Sequence, residues 1–173
     1  MLSLFIMRHA NSDWSDIQGS DFNRTISTKG IKELELLSNK IKELKIEFDL
    51  IFTSPSKRTI QTLKILKENL KLPKVKIKKD NDLYEGSLDN FLLKLKYTSK
   101  SYKKILIITH EPNIQWLIDF FLSSDNKESQ KLFIKEFATS SIININFSTS
   151  SWNEISNVNC KFNFFINPSD YSI

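Results

Sequence analysis

Three of the 25 basic residues in this 173-residue chain are arginine: Arg8, Arg24 and Arg58. Its two histidines are His9 and His110. Lysine serves wherever a plain positive charge is enough, so each arginine raises the question of what a guanidinium does that an ammonium cannot. A guanidinium is a planar fork that grips phosphate or carboxylate through two parallel hydrogen bonds. Two of the arginines lie in Met7-Arg8-His9 and Ser54-Pro55-Ser56-Lys57-Arg58. Each histidine follows an apolar run, Leu4-Phe5-Ile6-Met7 or Ile105-Leu106-Ile107-Ile108-Thr109. This set reads as a phosphate pocket with a histidine nucleophile.

Transfer of a phosphoryl group needs a nucleophile in line with the leaving group and fixed positive donors around the oxygens. His9 fits the first role if its imidazole is neutral, with the proton on the far nitrogen held by a hydrogen bond, commonly to a backbone carbonyl. Arg8 and Arg58 would clamp the oxygens, and a cationic His110 would add a third donor. Arg24 either reaches the phosphate or pairs with Asp21 or another acid. Ser54 is a helix cap, a phosphate donor, or both. Gln61 is expected to be structural. Trp14 and Trp116 could wall the pocket, with core packing expected for Trp116.

The elements that must position these groups follow from periodicity. Leu2 to Met7, Leu50 to Phe52 and Ile105 to Thr109 read as buried strands, the last one central. Asn11 to Asp21 is polar and reads as loop. Thr28 is the expected cap of a helix with Ile31, Leu34, Leu37, Ile41 and Leu44 inward. Ser54-Pro55 is the expected start of a second helix, with Ile60, Leu63, Leu66 and Leu70 inward. Pro73 to Lys78 alternates apolar and lysine, as a sheet edge does. Ser87 caps a short helix, and Pro112 starts another. Ser141 to Phe147 and Lys161 to Ile166 complete the strands, joined through Trp152. Strands alternating with amphipathic helices imply an α/β three-layer sandwich: one domain over 1–173, a mostly parallel central sheet and helices on both faces. Ligands bind such sheets beyond the carboxyl ends of the strands, where Arg8-His9, Thr53-Ser54 and Thr109-His110 all fall.

Composition excludes several classes. Hydrophobic residues make up 40% and charged residues 26%, which is a globular and not a disordered balance. The single cysteine, Cys160, rules out an internal disulfide framework and fits a reducing compartment. No segment approaches the roughly 18 apolar residues of a membrane span, and the apolar N-terminus is too short for a signal peptide. A cytoplasmic location is the expectation. The net charge of +5 comes from lysines spread along the whole chain, without the arginine–aromatic clusters of a nucleic-acid binder. Two histidines without a carboxylate at ligand spacing argue against a metal site, and no cofactor is expected.

Met7-Arg8-His9-Ala10 resembles the Arg-His-Gly signature of the histidine phosphatase superfamily, which includes the phosphoglycerate mutases. Ser54 to Thr62 resembles its Ser-Pro-x-x-Arg-x-x-Gln-Thr stretch, and Thr109-His110 its second histidine. Asp21 to Gly30 and the closing Asn167-Pro168 are similar to the small SixA-like phosphohistidine phosphatases. The resemblance runs from Leu4 to about Pro168. It implies a phosphohistidine intermediate on His9, hydrolysed by water without metal. Ala10 stands where the signature has glycine, which is tolerable if the backbone φ there is negative, and Thr25-Ile26 stands where the branch has Pro-Leu. Many members use a carboxylate as general acid. By order along the chain Glu85 is the candidate, with Asp13 and Asp16 behind it and Glu111 read as a helix-start charge. The expected substrate is a phosphorylated protein carrying phosphohistidine, reached through a pocket without an inserted lid. The alternatives are a phosphatase of a small phosphorylated metabolite and a non-catalytic phosphate-binding module.

Overall fold

Along β1 (Leu2–Arg8) the buried side chains alternate between two cores, as the two-residue period of a strand requires. Leu2, Leu4 and Ile6 join one apolar cluster and Phe5 and Met7 the other. The structure, a computed structural model, describes residues 1–13, 20–72, 74–122 and 137–171. The remaining elements are α1 (Thr28–Glu43), β2 (Leu50–Thr53), α2 (Lys57–Leu70), β3 (Lys76–Lys79), α3 (Leu88–Lys96), β4 (Lys104–Thr109), α4 (Asn113–Phe121), β5 (Ile142–Phe147) and β6 (Cys160–Ile166).

The six strands form one sheet in the order β3-β2-β4-β1-β5-β6. Pairing is parallel from β3 through β1, and β5 is antiparallel to both β1 and β6. Helices α1 and α2 pack on the face of Phe5, Met7, Ile51, Leu106 and Ile108. Helices α3 and α4, with Trp152, cover the face of Leu4, Ile6, Phe52, Ile105 and Ile107. This is the expected α/β sandwich, with β4 central and lysine-rich β3 at the edge. No helix among the described residues is long and apolar enough to cross a membrane.

Several local expectations need correction. The cap of α1 is Ser27, whose Oγ accepts the Gly30 N–H at 3.1 Å; Thr28 is already helical. Ile31 and Leu44 stay about 40% exposed, because the apolar stripe of α1 narrows to Leu34, Leu37 and Ile41. Helix α2 starts at Lys57 rather than Ser54-Pro55. The Thr59 hydroxyl reaches back to the carbonyl of Ser54 at 2.7 Å and holds the intervening turn outside the helix. Trp116 is 45% exposed on α4 rather than in the core. Trp14 and Asp16 lie outside the described residues.

Candidate active site

Strands β1, β2 and β4 are neighbours and end almost level: Arg8 registers with Thr109, and Thr53 with Ile108. The chain just past these ends supplies His9, Ser54 and His110, and α2 returns Arg58 to the same place. A cleft of about 390 Å³ opens there, lined by Arg8, His9, Asp21, Arg24, Arg58, Tyr84, Glu85, His110, Glu111 and Pro112. A larger hollow of about 620 Å³, around Phe48, Asp49, Leu72 and Tyr102, lies at the opposite ends of the strands and holds none of these groups.

His9 is 6% exposed. Its Nδ1 lies 2.7 Å from the carbonyl oxygen of Ala10. A carbonyl can only accept, so Nδ1 carries the proton and Nε2 keeps its lone pair. The Arg58 Nε–H donates to that Nε2 at 3.2 Å, which fixes the same tautomer. Burial above all lowers the His9 pKa to about 3, with the Arg58, Arg8 and His110 charges adding to it against the Ala10 hydrogen bond. The imidazole is therefore neutral at pH 7. Ala10 is fully buried and its φ is not positive, so the methyl group causes no backbone strain.

The turn after His9 is clamped from two helices. The Ala10 N–H donates to Thr62 Oγ1 at 3.0 Å, and that hydroxyl donates to the Arg58 carbonyl at 2.7 Å. Gly30 lets α1 approach closely: a Cβ there would sit 2.3 Å from the Asn11 carbonyl oxygen. The carboxylate of Glu33 accepts from Asn11 N–H, Thr139 Oγ1 and Ser140 Oγ, tying this turn to the segment before β5. The Ser140 N–H in turn donates to the His9 carbonyl.

Arg8 donates one Nη to the Phe137 carbonyl at 2.7 Å, and its buried Nε has no partner among the described residues. Arg58 is 5% exposed. Its Nη1 donates to the Asp21 carbonyl at 2.7 Å, and its Nη2 meets the Asp21 carboxylate at 3.0 Å. The same carboxylate accepts from Arg24 at 2.9 Å and from the Tyr84 hydroxyl at 3.2 Å. Arg24 also donates to Ser12 Oγ. Arg24 thus both pairs with Asp21 and lines the cleft. Burial opposes ionisation of Asp21, but the Arg24 hydrogen bond and the Arg58 charge outweigh it and lower its pKa.

His110 is 7% exposed, its Nδ1 is enclosed, and a hydrogen bond with the Tyr84 backbone acts on the ring. The Tyr84 ring packs edge-on against it at 5.3 Å, and the His9 ring lies 6.4 Å away. Burial first, then the Arg58 charge, lowers the His110 pKa. The loop carrying Tyr84 and Glu85 is pinned to β4 and α4: Thr109 Oγ1 and Asn113 Nδ2 both donate to the Leu83 carbonyl. Glu85 is exposed at the mouth.

The structure therefore brings Arg8, His9, Arg24, Arg58, Glu85 and His110 together. Ser54 stands apart: it is fully buried, does not line the cleft, and its Oγ accepts the Ser56 N–H at 3.4 Å. Gln61 holds the Ile26 N–H at 2.9 Å, a structural contact. Tyr84 and the Phe137 carbonyl escaped the sequence reading because neither carries a local signal. Glu111, read there as a helix-start charge, lines the cleft and also accepts the Gln115 N–H. The guanidiniums of Arg8, Arg24 and Arg58 line one cleft with a neutral imidazole, an arrangement suited to a tetrahedral oxyanion.

Comparison with known proteins agrees. The sequence profile of the histidine phosphatase superfamily (branch 1) matches residues 4–94. The chain is 34% identical over 107 residues to 2,3-bisphosphoglycerate-dependent phosphoglycerate mutase 2 of Lactiplantibacillus plantarum, covering 59% of this chain and 46% of that protein. It is 29% identical over 122 residues to phosphohistidine phosphatase SixA of Escherichia coli, covering 68% and 72%. The chain thus spans about half the length of the mutase. The structure of the protein histidine phosphatase SixA complexed with tungstate superposes with a TM-score of 0.79 at 24% identity, covering 99% of this chain and all of that one. With its profile match, its fold and its two histidines at the strand ends, this chain belongs to the histidine phosphatase superfamily, in which it is similar to the SixA branch.

Proposed function

We propose that the chain hydrolyses phosphohistidine on a protein substrate. The observation that carries this reading is His9, a buried neutral imidazole with Nε2 unprotonated beside the Arg58 Nε–H, at the floor of an open cleft. In the first step the His9 Nε2 lone pair forms a P–N bond as the P–N bond to the substrate imidazole breaks. Solvent protonates the other nitrogen of the substrate ring before the bond breaks, so the ring departs as neutral imidazole. In the second step water adds to phosphorus and the bond to His9 breaks, giving inorganic phosphate and returning Nε2. Arg8, Arg58 and Arg24 hold the phosphoryl oxygens. His110, whose pKa is lowered by burial, gains a proton when the dianion arrives, because a nearby negative charge raises its pKa.

Imidazole departs as a good leaving group near pH 7 without a strong acid. The exposed position of Glu85 suits that chemistry better than alkoxide departure, which needs a well-seated acid. The oxyanion tungstate in SixA supports the oxyanion site. Hydrolysis of a small phosphate ester is the second reading, favoured by the similarity to the mutase and by Glu85 at the mouth.

A substrate panel on wild type and His9→Ala tests this. Rapid release from a phosphohistidine protein, slow turnover of p-nitrophenyl phosphate and an acid-labile, base-stable phosphate on His9 are expected. The opposite substrate ranking, with a large loss on Glu85→Gln, would favour the small-ester reading. A trapped phosphate that persists in His9→Ala would end both.

A further inference from the structure

The cleft is layered by charge. Arg58 lies deep, 5% exposed, whereas the Asp21 side chain is 51% exposed and Glu85 and Glu111 are both exposed. Three arginines and three carboxylates line it. The floor therefore attracts one phosphoryl group while the rim repels further negative charge. A second phosphate or a carboxylate on the substrate would meet Glu85 or Glu111.

A second hollow, of about 360 Å³, adjoins the cleft and shares Tyr84 and Glu85 with it. Its other walls are Phe22, Pro55 and Asn81. The Phe22 and Tyr84 rings pack edge to face at 5.1 Å, and Phe22 stays 36% exposed. Among the described residues no basic side chain lines this hollow. Aromatic walls with one carboxylate favour a cation over an anion, and they match the long apolar stem of a basic side chain as well as its head.

We infer that this hollow receives a lysine or arginine side chain lying next to the phosphorylated residue of a polypeptide substrate. The site then reads two features at once: a phosphoryl group on the arginine floor, and a neighbouring cation against Phe22, Tyr84 and Glu85. The inference rests on the phosphoprotein reading above and narrows it to basic-flanked sequences.

The test uses two peptides that carry a hydrolysis-resistant phosphonate analogue of phosphohistidine and differ in one flanking residue, Lys or Glu. Binding to full-length His9→Ala is measured by calorimetry. The Lys peptide is expected to bind about five-fold tighter, the scale of one partly exposed ion pair with a cation–π contact. The preference should vanish or invert in Glu85→Lys and shrink in Phe22→Ser. Equal affinities, or a preference unchanged in both variants, would overturn the inference. Hydrolysis of the matching phosphohistidine peptides by wild type separates the two claims. Preferential binding without turnover leaves the hollow's role standing and removes the phosphatase reading. Equal binding with turnover does the reverse.

Discussion

The pKa of His9 ties catalysis to stability, and the link can be measured. An unfolded histidine binds its proton with a pKa near 6.5, and the folded His9 with one near 3. The folded value is depressed, so between those limits the unfolded chain holds more protons and stability falls as pH drops. At pH 7 nearly all of the deficit is absent. At pH 5 the unfolded imidazole is almost fully protonated and the folded one almost fully neutral. The difference accumulated between pH 7 and pH 5 is about 2 kcal/mol, a sizeable part of the 5–15 kcal/mol that is usual for a domain. The His110 pKa is lowered too, so His110 acts in the same direction. His9→Asn isolates the His9 share. Urea unfolding of both proteins in phosphate-free buffer should show wild type losing about 2 kcal/mol more than His9→Asn between pH 7 and pH 5. Activity should show no acid limb from His9 near pH 6. Stability curves that run parallel over this range would refute the buried, neutral imidazole and the nucleophile argued from it.

Arg58→Lys should lower kcat/KM by about a hundred-fold or more, because an ammonium cannot hold both contacts to Asp21 and also face His9 Nε2; steady-state kinetics on a phosphohistidine substrate checks this. Gly30→Ala should destabilise the fold by about 1–3 kcal/mol, seen as a lower Tm, since its Cβ meets the Asn11 carbonyl oxygen and α1 must shift. Thr62→Val should cost about 1–3 kcal/mol in urea unfolding, because the buried Ala10 N–H loses its acceptor, and turnover should fall with it as the turn after His9 loosens.

Much of the architecture was legible because strand and helix periods are local. The apolar runs before His9 and His110 are buried strands, β4 is central, and lysine-rich β3 sits at the edge. Element starts were harder to read. Ser27 and Thr28 are both plausible caps by residue type, and the Ser27 Oγ contact to Gly30 decides between them. At Ser54-Pro55 the residue types favoured a helix start. The buried hydroxyl of Thr59 instead holds a turn through which the chain leaves β2 and aims Arg58 at His9. The same turn buries Ser54 and removes it from the cleft.

By itself the sequence determined the chemical inventory: a neutral-capable imidazole, three scarce guanidiniums and a second histidine, all but Arg24 at the end of an apolar run or the start of a helix. Tertiary structure alone decided what those groups touch. The adjacency of β1, β2 and β4 brings Arg58 to His9 across 49 residues of chain. It also makes Asp21 the shared acceptor of Arg24, Arg58 and Tyr84, the last across 63 residues. The reason is that periodicity encodes which face of an element is buried, whereas a contact between side chains depends on how separate elements are ordered and spaced in the packed sheet.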